Sequence, residues 1–105
     1  MKSGLNFQAS GVIAATLLMF NEDFSIDWKN SSKHLKHVAA TAGLASITVN
    51  GHASEIHACA FEDQQQILAT SLVDVGDKIP LVNGIYADGT QAAVDLARMA
   101  EREGA

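Results

Sequence analysis

The chain has 105 residues, enough for one ordinary domain but not for two, and its 48% hydrophobic and 18% charged content is typical of a globular protein. Its formal net charge of -5 and the absence of a basic run argue against nucleic acid as a partner. No apolar run approaches the roughly 18 residues of a membrane span, and one cysteine cannot form an internal disulfide, so we expect a protein of the reducing cytoplasm without a membrane partner.

The first ten residues are predicted to be a leader segment, and residues 11–105 to form one folded unit. This unit opens with an apolar run at residues 12–18, which predicts a buried strand. Similar runs begin near residues 46 and 80, at an equal spacing along the chain. The spacing indicates a structural repeat with one strand in each unit.

A helical pattern follows the first run, over residues 27–42, with Asp27 as a plausible N-cap and Gly43 as a plausible C-terminal stop. The apolar residues that share one face at helical spacing are Trp28, Leu35, Val38, Ala39 and Ala42. The polar face carries Lys29, Lys33 and Lys36. Because His34 and His37 lie among these lysines, we interpret them as part of a solvated face rather than as a site.

The second unit has a β-branched run at residues 46–50 and a helical pattern over Phe61–Val75, which Gly76 ends. Acidic residues in the first turn of this helix suit its positive dipole end. The apolar residues that share its buried face are Phe61, Leu68, Leu72 and Val75.

The third unit repeats the pattern, with an apolar run at residues 79–84 and a helix from about Thr90 to Gly104. Its predicted buried residues are Ala93, Leu96, Ala97 and Ala100. The sequence then stops at Ala105, where a fourth strand would begin. We therefore expect a chain truncated before strand 4, and the alternative is a complete small α/β domain.

A β-α-β-α-β-α order with short loops predicts an α/β fold with parallel strands and right-handed crossovers. Two architectures satisfy it. The helices could cover both faces of an open three-stranded sheet, or the chain could be the first three units of a (β/α)8 TIM barrel.

In both architectures ligands bind at the carboxyl ends of the strands, so the loops at residues 17–25, 50–58 and 83–90 are the candidate site. None of them matches a phosphate-binding glycine pattern. In the second loop, His52 and Glu55 have two readings that the pattern alone leaves open. They could do chemistry, or they could belong to a polar turn between strand and helix.

A metal site is disfavoured, because the spacing of His52, His57 and Cys59 matches no standard zinc pattern and no second ligand pair exists. Cys59 is interpreted as a small buried apolar residue rather than as a nucleophile.

Three segments resemble the amino-terminal third of the dihydrodipicolinate synthase and N-acetylneuraminate lyase family. The stretch "GVIAATLLMFNEDFSID" is similar to the family's opening strand, and "VNGHASE" lies where the family has its G-T-T-G-E signature after the second strand. The stretch "IPLVNGIYADGTQAAVDLARMAEREGA" is similar to the third unit and is the most specific of the three. They occur in the family's order and at its spacing.

The resemblance implies a (β/α)8 barrel, often tetrameric, that uses no cofactor. Family members are class I lyases or aldolases in which a lysine on a later strand forms a Schiff base with pyruvate or a related 2-oxo acid. The two threonines of the signature bind the carboxylate of the keto acid and help to relay protons. By position, the resemblance implies that the carboxylate-binding segment of this chain consists of Gly51, His52, Ala53, Ser54 and Glu55.

This chain departs from the family pattern where the threonine pair should be. His52 and Ala53 replace the two threonines, and Ser54 replaces the second glycine. We therefore expect His52 to act as the acid or base, since an imidazole can do so near neutral pH. Glycine positions of the family are occupied by Phe24 and Tyr86, and Ala60 stands where a helix-capping hydroxyl is usual.

None of the five lysines can serve as the Schiff-base nucleophile, because the position of each along the chain is remote from the candidate loops: Lys2, Lys29, Lys33, Lys36 and Lys78. We expect the 105-residue chain alone to be inactive. The alternatives to a lyase segment are a non-catalytic, self-associating module and a reading frame with no function of its own.

Overall fold

The computed structural model describes residues 9–105, so nearly all of the predicted leader lies outside the described residues. Three strands alternate with three long helices, as the sequence predicts. The strands are β1 (Val12–Ala15), β2 (Leu44–Val49) and β3 (Leu81–Asn83), and the helices are α1 (Trp28–Ala39), α2 (Phe61–Val75) and α3 (Thr90–Glu103). Two short 3-10 helices, His52–Ser54 and Ile56–Ala58, lie between β2 and α2.

The strands form one parallel sheet in the order β1-β2-β3. Ile47 of the central strand pairs with Ala14 on one side and with Leu81 on the other. Neighbours in the sheet are neighbours in sequence, so α1 and α2 are the crossovers between adjacent strands, as in a barrel wall.

All three helices pack against one face of this sheet. Adjacent helices contact each other, α1 with α2 and α2 with α3. The buried core between the sheet and the helices consists of Leu35, Ile47, Val49, Leu68, Val75, Ile79, Leu81, Leu96, Met99 and Ala100. Helices on a single face are characteristic of a (β/α)8 barrel segment and rule out an open sheet covered on both sides.

Several predicted bounds differ from the structure at the ends of elements. The strand at the start of the chain ends at Ala15 rather than at residue 18, and α1 ends at Ala39 rather than at residue 42. The last turn of α1 tightens, because the N–H of Thr41 donates to the carbonyl of Val38 at 3.0 Å. The chain then reverses at Gly43, whose φ of 90° lies in the left-handed region.

Two other bounds shift by two residues: β2 begins at Leu44 rather than at 46, and β3 at Leu81 rather than at 79. The span of α2 is as predicted, and the Asp27 cap of α1 is confirmed. Its carboxylate accepts a hydrogen bond from the N–H of Asn30 at 3.1 Å. Local signals of capping and periodicity therefore placed the helices well.

Most residues of the predicted buried faces are buried or half-buried, but three of them are exposed. Ala42 and Ala97 are exposed, and Phe61, the first residue of α2, is 37% exposed because it lies beyond the core. The sequence interpretation omitted Met99, which is fully buried beside Leu96. None of the helices formed by residues 9–105 is long and apolar enough to cross a membrane.

Candidate functional site

The loops that follow the three strands lie at the same edge of the sheet, because parallel strands align their carboxyl ends. Residues 16–27 form the first loop. We refer to residues 49–55 and 83–86 together as the β2–β3 corner. This corner contains the five predicted carboxylate-binding residues.

Direct backbone contact joins the two halves of the β2–β3 corner. The N–H of Gly84 donates to the carbonyl of Val49 at 2.9 Å. A Cβ atom at Gly84 would lie 2.1 Å from the backbone oxygen of Asn50, so only glycine permits this approach. The loops after β2 and β3 are therefore held together by their main chains.

Asn50 anchors the corner from inside. It is fully buried and adopts a left-handed conformation with a φ of 55°, which asparagine tolerates better than most residues. Its Nδ2 donates to the backbone carbonyl of Gln64 at 2.9 Å and to Oδ1 of Asn83 at 2.8 Å. One side chain thus ties the end of β2 to α2 and to the end of β3.

The five candidate residues do not all face the same way. Ser54 is buried, and its hydroxyl donates to the carbonyl of Thr16 at 2.6 Å, so its proton is committed inside the protein. The N–H of Ser54 bonds to Gly51 and the N–H of Glu55 bonds to His52, which closes the 3-10 turn. His52, Ala53 and Glu55 are exposed at the surface of the turn.

Glu55 adopts a φ of 55°, in the left-handed region, between the two 3-10 helices. The turn reading of this residue therefore has structural support, since its backbone reverses the chain between two short helices. The left-handed conformation brings a local steric cost for a residue with a Cβ.

Tyr86 contacts the imidazole of His52. Their ring centroids lie 5.6 Å apart in an edge-to-face arrangement, and the ring of His57 lies 6.4 Å from the same phenol. Sequence reasoning named Tyr86 only as a substituted glycine and missed it as a site residue. Its position in the loop after β3 was the signal that could have identified it.

Cys59 has the environment of a structural thiol. It is half-buried, and burial raises the pKa of its thiol, with a further rise from the negative charges of Asp63 and Glu55. A raised pKa lowers the thiolate fraction near neutral pH and disfavours a nucleophilic role. Among residues 9–105, no three His, Cys, Asp or Glu side chains lie close enough together to hold a metal ion.

The tip of the first loop, residues 21–25, is held by hydrogen bonds between residues that are close in sequence. Hydrogen bonds from the hydroxyl and N–H of Ser25 lower the pKa of the Asp23 carboxyl. Phe24 has a φ of 69° and is 86% exposed. A bulky residue in the left-handed region is strained, in keeping with the glycine that the family pattern has at this position.

His34 lies on the polar face of α1 and also has a hydrogen-bond partner in the first loop, which the sequence interpretation did not include. The residue is half-buried, and its Nε2 accepts a hydrogen bond from the N–H of Leu17 at 3.1 Å. It therefore links α1 to the start of the first loop. His37, by contrast, is exposed, as predicted.

The lysines of the described residues lie away from the candidate loops. Lys29, Lys33 and Lys36 are on α1, and Lys78 lies between α2 and the amino end of β3. Lys36 forms an ion pair with Asp74 of α2, with 3.8 Å between Nζ and Oδ1. None of these four ammonium groups belongs to the β2–β3 corner, and Lys2 lies outside the described residues.

A family model described as the dihydrodipicolinate synthetase family matches residues 8–105 of the chain. The 4-hydroxy-tetrahydrodipicolinate synthase 2 of Streptomyces coelicolor is 28% identical over 94 residues. The 4-hydroxy-tetrahydrodipicolinate synthase of Archaeoglobus fulgidus is 30% identical over 99 residues. Each alignment covers 90% of this chain, but only 31% and 32% of the respective relative. The chain therefore spans about a third of the length of these relatives.

Solved structures agree with this result. Dihydrodipicolinate synthase from Acinetobacter baumannii, complexed with pyruvate, has a TM-score of 0.85 and 26% identity, and the match covers 93% of this chain and 33% of that one. CdNal from Clostridium difficile, in complex with mannosamine, also has a TM-score of 0.85. Its 20% identity shows the shared fold alone.

Proposed function

The chain belongs to the dihydrodipicolinate synthetase family, and we propose that it supplies the carboxylate-binding corner of a class I lyase or aldolase acting on pyruvate or a related 2-oxo acid. One observation carries the proposal. The family match runs through residues 49–55 and 83–86, and these residues lie together at the carboxyl ends of adjacent strands, where barrel enzymes bind substrate.

In this proposal the segment from Gly51 to Glu55 receives the substrate carboxylate. His52 is its exposed imidazole and acts as the acid or base, the role that the absent threonine hydroxyls would otherwise serve. Ser54 contributes by holding the turn in place, because its N–H bonds to Gly51 and its hydroxyl bonds to Thr16. The residue that forms the Schiff base comes from later strands of the barrel.

Two further features complete the proposal. The proposed setting is the cytoplasm, because Cys59 is a free thiol. The proposed assembly is a homo-oligomer of complete barrels, tetrameric as the family resemblance implies.

Reductive trapping tests the lyase proposal. The chain is incubated with pyruvate and sodium borohydride, and the mass of the protein is measured. We expect no adduct on the 105-residue chain, because its lysines are remote from the corner. We expect one reduced pyruvate on a hybrid in which residues 9–105 replace the matching third of the Acinetobacter baumannii enzyme. A hybrid that folds, by circular dichroism and size, but gives no adduct contradicts the proposal.

A second candidate is a self-associating, non-catalytic module. The observation that favours it is the apolar surface around β1 and the loops, where Val12 is 60% exposed, Leu17 is 51% exposed and Ile85 is 43% exposed. Sheet edges add unpaired backbone groups to this surface. Sedimentation of the purified chain tests it, and a folded monomer at all concentrations argues against it.

A further inference from the structure

Tyr86 is the only tyrosine in the sequence, and its ring is held against the β2–β3 corner. Both His52 and His57 contact the ring edge-to-face, with interplanar angles of 67° and 63°. The side chain is nevertheless 46% exposed, and no hydrogen bond within residues 9–105 uses its hydroxyl. The ring is therefore supported by the protein while its hydroxyl is available to a ligand.

The contact between Tyr86 and His52 follows from the backbone. Gly84, two residues before the tyrosine, lies directly against Asn50, two residues before the histidine. Because both anchoring residues are held by the main chain and by buried hydrogen bonds, the two rings meet without a ligand to bring them together. Such preorganisation suits a binding site.

Hydroxyl donors are otherwise scarce in this corner. Ala53 has none, and the Ser54 proton is donated to the carbonyl of Thr16. The Thr16 hydroxyl is itself bonded to the carbonyl of Thr48. Within residues 49–55 and 83–86, Tyr86 carries the one hydroxyl that has no hydrogen-bond partner among the described residues.

We propose that Tyr86 is a carboxylate-binding residue of the β2–β3 corner. Its phenolic O–H and the His52 imidazole together donate the hydrogen bonds to the carboxylate that Ala53 cannot donate. The ligand class is a small carboxylate, and its identity as a 2-oxo acid rests on the proposed function. In this proposal the two departures from the family pattern, Tyr86 for a glycine and His52 for a threonine, act together at one binding site.

The Tyr86→Phe variant tests this proposal, because it removes the hydroxyl and keeps the ring against His52. Pyruvate and acetate are titrated separately into the 105-residue chain, and the His52 and aromatic-ring NMR signals report binding. We expect both ligands to bind about ten-fold more weakly to Tyr86→Phe, the loss typical of one hydrogen bond to a charged group. Val73→Ala, at an exposed position of α2 outside the corner, is the control and should bind as the parent does.

The outcomes separate the two proposals. Equal affinities for Tyr86→Phe and the parent overturn the role of the tyrosine and leave the lyase proposal standing. No perturbation of His52 by either carboxylate overturns carboxylate binding at this corner altogether. Loss of affinity for both ligands in Tyr86→Phe supports the inference, even where pyruvate shows no preference over acetate and trapping fails. The spectrum of the free variant verifies that it is folded.

Discussion

The β2–β3 corner and the first loop lie at the same edge of the sheet but are stabilised in different ways. The corner is built on buried, long-range contacts, with Asn50 and Gly84 bringing separate units into main-chain contact. In the first loop, by contrast, Asn21, Asp23 and Ser25 bond to one another at the surface. The comparison indicates that the corner has a defined geometry in the absence of ligand, whereas the tip of the first loop depends on local bonds.

The largest effect on stability is expected from Gly84→Ala, which disrupts the main-chain contact between the two halves of the β2–β3 corner. The new Cβ overlaps the backbone oxygen of Asn50, and a backbone atom cannot rotate away as a side chain can. We expect the free energy of unfolding to fall by about 3 kcal/mol, as for strong overpacking in a core. Urea denaturation measures it.

Gly89→Ala is the matched control for this prediction. A Cβ at Gly89 meets no atom within 4 Å, so no steric overlap is expected. The free energy of unfolding should fall by only about a few tenths of a kcal/mol, because alanine is a weaker N-cap for α3. Similar losses for the two glycines would contradict the claim that main-chain contact defines the corner.

Asn50→Ala should have the second-largest effect. We expect its free energy of unfolding to fall by about 2 kcal/mol, because two hydrogen bonds are lost and alanine is unfavourable in the left-handed conformation. Asn50→Gly separates these causes. It loses the same bonds but adopts the positive φ freely, so it should be about 1 kcal/mol more stable than the alanine variant. Thermal denaturation of the pair checks this, and equal stabilities would show that backbone conformation has no part.

Phe24→Gly tests whether the tip of the first loop contains backbone strain. It relieves the left-handed strain and removes an exposed ring with little packing, so we expect a gain of roughly 0.5–1 kcal/mol. Val73→Gly is the control, at an equally exposed position inside α2. Its free energy of unfolding should fall by only about 0.3–0.5 kcal/mol, because valine is itself a weak helix former and glycine is slightly weaker. A loss at both positions would mean that Phe24 contributes packing.

The smallest effect concerns Asp27, which follows the first loop and caps α1. Hydrogen bonds from the side chain and N–H of Asn30 lower the pKa of its carboxyl. A lowered pKa stabilises the fold above the ordinary carboxyl value, and this stabilisation is lost as the pH falls through the lowered value. Asp27→Asn keeps a capping amide without that titration.

We therefore expect the melting temperatures of the parent and Asp27→Asn to converge as the pH falls below 4, by calorimetry across the acidic range. A difference between the two that does not change with pH would contradict a role for ionised Asp27. This effect should be confined to α1 and should leave the β2–β3 corner unchanged.

Helix positions were predictable because their signals are local. Asp27 supplies a capping oxygen, and the apolar spacing of Leu68 and Val75 defines the buried face of α2. The resemblance to a lyase family was also readable, because its motifs are continuous stretches. Element ends such as Ala39 were less predictable, since small hydrogen-bond rearrangements decide where the last turn stops.

The candidate site was only partly predictable. The segment from Gly51 to Glu55 could be placed at a strand end from sequence alone. The Ser54 side chain points into the protein because it bonds to Thr16, and His34 is tied to the first loop because it bonds to Leu17. In both pairs the two residues are distant in sequence. Hydrogen bonds between distant residues leave no periodic pattern in the chain.

By itself, the sequence determined the repeated β-α order, the main helices and the loop that carries His52, because propensity, capping and periodicity act within a few residues. Only the tertiary structure decided that all three helices share one face of the sheet. It also decided that Gly84 lies against Asn50 and that Tyr86 consequently meets His52. These contacts depend on how separate units pack, and close packing between units is a property of three-dimensional shape.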